Sequence, residues 1–123
     1  MARKPSETLT EGELRVMTAL WNKERGTVSE LAEAIVTDPP LAYNTILTTL
    51  RILENKGFVR HKKQSRAFVY EPVIGREEAT RGAVQQLLAR FFNNSPDLLV
   101  ANLIRHEKFR KRDLERLRKL IAQ

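Results

Sequence analysis

The sequence contains no cysteine. Disulfides, thiolate metal sites and cysteine nucleophiles are excluded together, and the composition fits a reducing compartment. Histidine is scarce too: His61 and His106 are the only two. Neither has the carboxylate or histidine spacing of a metal site or catalytic dyad. His61 reads as part of a basic hairpin, and His106 as a helix-end residue favoured by the helix dipole. Aromatic residues make up 7%, so few large side chains are available to fill a core. No apolar run approaches the roughly 20 residues that a membrane span requires. The basic N-terminus, Met1 to Pro5, leads into no apolar stretch and is not read as a targeting segment. The first eight residues are polar and are expected to fray. A soluble, cytoplasmic protein with no direct membrane insertion is expected.

What the chain does have is basic charge. Its 123 residues carry a formal net charge of +7, with 41% hydrophobic and 30% charged residues. That length suits one domain, or one module with a short accessory module. A basic domain this small is often a polyanion binder, although a solubilising surface gives the same balance. The acids are scattered along the chain, whereas a nuclease needs them clustered around metal. No enzyme, no cofactor and no metal site are expected.

Thr10 and Glu13 match a capping box that starts a first helix. Leu14, Met17, Leu20 and Trp21 form its apolar stripe. Gly26 should close that region, and Thr27–Val28 could form a very short strand. Ser29 can cap a second helix with Leu31, Ala32, Ile35 and Val36 inward. Thr37-Asp38-Pro39-Pro40 is a break. A third helix should run from about Ala42 to Lys56 and end at Gly57. Phe58–Lys63 and Ala67–Glu71 then read as paired strands around a Gln64-Ser65 turn, with Pro72 ending the hairpin. Three further helices follow, at Arg76–Phe92, after Ser95-Pro96, and at about Lys111–Ala122. The expected class is mostly α with a small β-hairpin: a winged helix-turn-helix over residues 1–72 and three helices over 73–123.

On the third helix, at about 100° per residue, Ile46, Leu50 and Leu53 fall together and should face the core. Asn44, Thr48, Arg51 and Asn55 cluster opposite, with Leu47 at the border. Asn can pair with adenine, Arg with guanine, and a Thr or Leu methyl with the thymine methyl. Any amphipathic helix has a polar outer face, so this alone decides nothing. The hairpin adds weight, because Arg60, His61, Lys62, Lys63 and Arg66 crowd it without an acid before Glu71. Such a tip suits phosphate or minor-groove contact. Beyond residue 73, Leu87, Phe91, Leu99, Leu103, Leu117 and Leu120 lie on short helices with too little other chain to cover them. Packing against a second copy is expected.

The segments LTEGELRVMTALWNKERGTVSELAEAI, LAYNTILTTLRILENKGFV and RAFVYEPVIGREEA closely resemble the penicillinase-repressor (BlaI/MecI) family, nearly end to end from Leu9 to Ile121. The resemblance implies an N-terminal winged helix that binds operator DNA and a C-terminal region that dimerises. It places the recognition helix on Ala42–Lys56 and the wing on Phe58–Tyr70. The expected DNA-contacting set is Ala42, Tyr43, Asn44, Thr45, Leu47, Thr48 and Arg51, with Arg60, Lys62, Lys63 and Arg66 on the wing. The resemblance also implies a membrane-bound sensor protease pathway that cuts an Asn-Phe bond in the dimerisation region. The matching position is Asn102-Leu103, where Leu103 departs from the pattern. Copper-responsive relatives carry C-terminal cysteines that this chain lacks.

The resulting expectation is a transcriptional repressor that acts as a homodimer on double-stranded, palindromic operator DNA. The alternative is a winged-helix module whose third helix docks on a protein partner, with the basic wing facing acidic groups.

Overall fold

The computed structural model describes residues 8–123; the expected fraying of the first eight residues lies, Thr8 apart, outside them. The described residues form six helices and one two-stranded sheet in the order α1 (Glu11–Lys23), α2 (Val28–Ala34), α3 (Tyr43–Lys56), β1 (Val59–Gln64), β2 (Ala67–Pro72), α4 (Arg76–Phe91), α5 (Pro96–His106) and α6 (Lys111–Ala122). They divide into two compact units, one through Gln86 and the other Leu87–Gln123.

The capping box at the start of α1 is made as expected. Glu13 N donates to Thr10 Oγ1 at 3.2 Å and Thr10 N donates to Glu13 Oε1 at 2.9 Å. The inward stripe is centred on Val16, Met17 and Leu20, while Leu14 lies at its edge and is 46% exposed. Glu24, not Gly26, takes the left-handed C-cap, at φ 75°. Gly26 makes a single bridge to Tyr70 instead, with both N–H···O distances 2.9 Å. No strand forms at Thr27–Val28, because Thr27 and Glu30 build a second capping box that starts α2 two residues before Ser29. Side-chain oxygens satisfy two orphan N–H groups there, which a lone Ser29 cap could not do. Leu31 and Ile35 face inward, but the helix ends at Ala34 and Val36 points out, 91% exposed.

Helix α3 buries Ile46, Leu50 and Leu53 completely against Met17, Leu20 and Leu31. Each such side chain contributes about 1.5–3 kcal/mol relative to exposure. The strands pair antiparallel from Val59↔Pro72 to Gln64↔Ala67, so Ser65 and Arg66 form the turn, with Ser65 at φ 57°. β1 starts and ends one residue later than the sequence pattern suggests, because the amide of Phe58 is used in closing α3, whereas β2 starts at Ala67 as expected and runs through Pro72. The core also continues past Pro72: Ile74 is buried, the Trp21 indole donates to its carbonyl at 2.9 Å, and Ala79 packs on the same cluster.

In the second unit, α4 ends where Asn93 and Asn94 take positive φ, and Ser95 caps α5 by accepting from Leu98 N at 3.3 Å. No residue of α5 or α6 is buried. In α6, Leu114, Leu117, Leu120 and Ile121 share one side and Lys111, Arg112, Arg116, Arg118 and Lys119 the other. Among the described residues no helix is long and apolar enough to cross a membrane.

One buried polar group ties α1 to α3. Glu13 accepts from Lys56 Nζ at 2.7 Å as well as from Thr10 N. Burial, the largest single influence, pushes the Glu13 carboxyl up, but the hydrogen bonds and charge of Lys56 and the bonds from Thr10 together hold it below the usual carboxylate range. A lowered folded-state pKa gives stability that is present above the unfolded value and lost as pH falls through the folded one. Glu13→Gln should therefore lower the unfolding free energy at neutral pH by about 1–3 kcal/mol. Chemical denaturation across the acid range should find that difference shrinking as pH falls; a constant difference would show that the ionised carboxylate carries none of it.

Candidate nucleic-acid interface

The rotation of α3 is set by its buried side. With Ile46, Leu50 and Leu53 inward, Ala42, Tyr43, Asn44, Thr45, Thr48 and Arg51 are all exposed. Leu47, expected at the border, is half-buried and packs against the core. A row of hydrogen-bonding groups beginning at the helix N-terminus, with no bulky apolar side chain inside it except Tyr43, fits a major groove that admits an α-helix. The N-cap Ala42 makes no side-chain cap, so the first N–H groups of α3 have no side-chain partner there.

The hairpin follows α3 without a linker. Gly57 sits at φ 87°, its N–H donates to Glu54 O, and Phe58 N donates to Leu53 O at 2.9 Å. The chain therefore turns out of the helix directly into β1, and the basic hairpin stands beside the polar helix face. Between them lies a groove of about 560 Å³, lined by Tyr43, Leu47 and Arg51 of α3 and by His61, Arg66 and Phe68 of the hairpin.

The wing cations separate by register. Lys62, Lys63 and Arg66 are exposed. Arg60 is engaged: its Nε donates to Glu71 Oε2 at 2.6 Å, from the directly opposite position on β2. That bond is the main reason the Glu71 carboxyl lies below the usual range, with the charges of Lys62 and Arg25 acting the same way. The acid that closed the basic run in the sequence thus offsets its first member in space. His61 lies on the opposite side of the hairpin from Arg60 and bonds Glu54. Burial raises the Tyr70 phenol; Glu54 and Tyr43 add to this and Arg51 opposes it.

Sequence reasoning passed over Lys23 and Arg25. They lie just before Gly26 and line, with Gln64 and Val69, a second hollow of about 390 Å³ on the other side of the wing. The signal was present as basic residues beside a glycine, but only the Gly26–Tyr70 bridge brings that loop to the hairpin. Of the expected self-association residues, Leu87, Phe91, Leu103, Leu117 and Leu120 are exposed and Leu99 is half-buried. Asn102 and Leu103 are exposed and lie inside α5. Among the described residues no group of three or more His, Asp or Glu could hold a metal ion.

Three helices, a polar outward face on the third and a basic hairpin beside it define a winged helix-turn-helix protein. Residues 9–123 match the family model described as penicillinase repressor, and the chain belongs to that family. Over 115 residues it is 24% identical to the penicillinase repressor of Bacillus licheniformis, covering 94% of this chain and 90% of that protein. Over 79 residues it is 38% identical to the transcriptional regulator BlaI of Mycobacterium tuberculosis, covering 63% of this chain and 57% of that one. The solution structure of the monomeric form of Bacillus licheniformis BlaI in complex with the blaP half-operator matches with a TM-score of 0.50 and 28% identity, covering 63% of this chain and 93% of that one. The fold and family expected from the sequence are those found.

The direct passage from α3 to the wing depends on Gly57. A side chain at that left-handed φ costs about 1–2 kcal/mol. Gly57→Ala should lower stability by that amount in thermal or chemical unfolding. An unchanged midpoint would mean that the junction readily adopts another path.

Proposed function

We propose that this chain is a sequence-specific, DNA-binding transcriptional repressor that acts as a homodimer on a palindromic operator in the cytoplasm. The observation that carries this reading is the fixed rotation of α3, which turns Asn44, Thr48 and Arg51 outward beside a basic hairpin. The complex of BlaI with a half-operator supports duplex DNA as the partner.

In this reading α3 enters the major groove and reads base edges through Asn44, Thr48 and Arg51, with Ala42, Tyr43, Thr45 and Leu47 at the same surface. Lys62, Lys63 and Arg66 hold phosphates. Arg60 contributes less than its charge suggests, because Glu71 pairs with it. Two copies joined through their C-terminal helices would meet half-sites about one helical turn, or a multiple of it, apart. Repression follows from occupancy of that site. A membrane-bound sensor protease pathway would act in the C-terminal region; at Asn102–Leu103, where Leu103 departs from the Asn-Phe pattern, cleavage would require α5 to unwind first, since the bond lies within a helix.

Duplex selection from a randomised pool, followed by binding measurements, tests the DNA reading. Thr48→Ala and Arg51→Ala should each cost about 1–3 kcal/mol on the selected duplex and much less on random DNA. Lys62→Ala with Lys63→Ala should weaken both and flatten the log–log salt dependence by roughly 1 per lysine per bound wing. Equal losses on both duplexes for the α3 variants would count against base reading.

Sedimentation tests self-association independently. The full chain should run as a dimer at micromolar concentration. Leu117→Asp should run as a monomer, because a carboxylate buried at an apolar interface without a partner is costly. A monomeric parent chain would remove the homodimer from the proposal.

A further inference from the structure

Beyond Val59, every residue of β1 is exposed. The outer half of the wing therefore has little core packing to hold its angle against α3. One side chain reaches back. His61 shares a face of the hairpin with Val59, and its Nδ1 lies 2.8 and 2.9 Å from the two carboxylate oxygens of Glu54, near the end of α3. Its ring meets Phe68 edge-on at 4.9 Å and lies tilted over Tyr70 at 5.2 Å, between ring centres. Imidazole, carboxylate and two aromatic rings thus join both strands of the wing to the helix.

We infer that Glu54 and His61 form a positioning pair that braces the wing against α3 and so sets the spacing between base-reading and phosphate-holding groups. The inference rests on the DNA-binding reading and adds residues that do not themselves touch DNA. Preorganisation is what the brace supplies: a wing already held at its bound angle loses less freedom when the duplex arrives. The other charged or titratable groups lining the same groove are Arg51 and Tyr43 from α3, Arg66 from the hairpin turn and Tyr70 from β2.

The rival account is purely electrostatic, and it differs in sign. A carboxylate in a groove that receives phosphates repels them, so by charge alone removing Glu54 tightens binding. A histidine that met a phosphate itself would add to the counterion-release slope. The brace requires the opposite for Glu54 and no slope change for His61.

Fluorescence anisotropy of the full chain, with a labelled duplex that the chain itself enriches from a randomised pool, separates these accounts. Glu54→Ala and His61→Ala should each weaken binding about tenfold, and the double variant by about the same factor, because the two act as one unit. Glu54→Gln, whose amide oxygen still accepts the imidazole N–H, should stay within about twofold of the parent, since the hydrogen bond is kept. The salt slope of His61→Ala should match the parent. Hydrogen exchange of the unbound proteins gives a readout independent of DNA: amides of residues 60–68 should exchange faster in His61→Ala, while those of the α3 core do not change. Tighter binding by Glu54→Ala, multiplying losses in the double variant, a flattened slope for His61→Ala, or unchanged wing exchange would each overturn the brace alone. A parent chain that enriches no duplex would overturn the DNA reading and the brace with it.

Discussion

The structure depends on the burial of one side of α3. Ile46, Leu50 and Leu53 lose all contact with solvent against α1 and α2, and so fix the rotation of the helix about its axis. A turn of 100° would carry leucines into water and polar groups into the core, at a cost of several kcal/mol. The face of the helix proposed to read DNA is a consequence of that choice. Asn44, Thr48 and Arg51 face outward because the buried side leaves them no other direction. The wing inherits its place in turn, since Gly57 joins it to α3 without slack.

Two ion pairs show how differently charge is used in the first unit. Glu13 and Lys56 are largely enclosed, with side chains 9% and 22% exposed, and they lock the start of α1 to the end of α3. Arg60 and Glu71 are on the hairpin surface, where such a pair adds little stability and mainly offsets charge. The net basic charge is therefore not spread evenly over the wing. It is concentrated toward the hairpin tip at Lys62, Lys63 and Arg66.

Much of this was legible in the sequence because it is local. Capping boxes are set by residues three apart, and Ile46, Leu50 and Leu53 announce a buried face by spacing alone. The misplacements have a common origin. Ser29 is a good cap, but Thr27 with Glu30 makes a reciprocal pair and starts α2 first. Gly26 is a good helix terminator, but its backbone is used 44 residues away, at Tyr70. Phe58 has a strand-forming side chain, but its amide is already engaged by Leu53. Pro72 ended the hairpin pattern, whereas Ile74 completes the core through the Trp21 indole. The pairing of Arg60 with Glu71 and of His61 with Glu54 needs strand register and helix angle together, and neither can be read from a single stretch of chain.

The C-terminal helices, with no residue of α5 or α6 buried, bear on how a cell would read the amount of this protein. If two copies must meet before those apolar side chains are covered, the species competent for a two-part site grows with the square of chain concentration while it is scarce. Site occupancy then rises steeply over a narrow range of synthesis rate. A modest fall in supply, or the loss of one chain of a pair, would clear the site more completely than simple proportion implies.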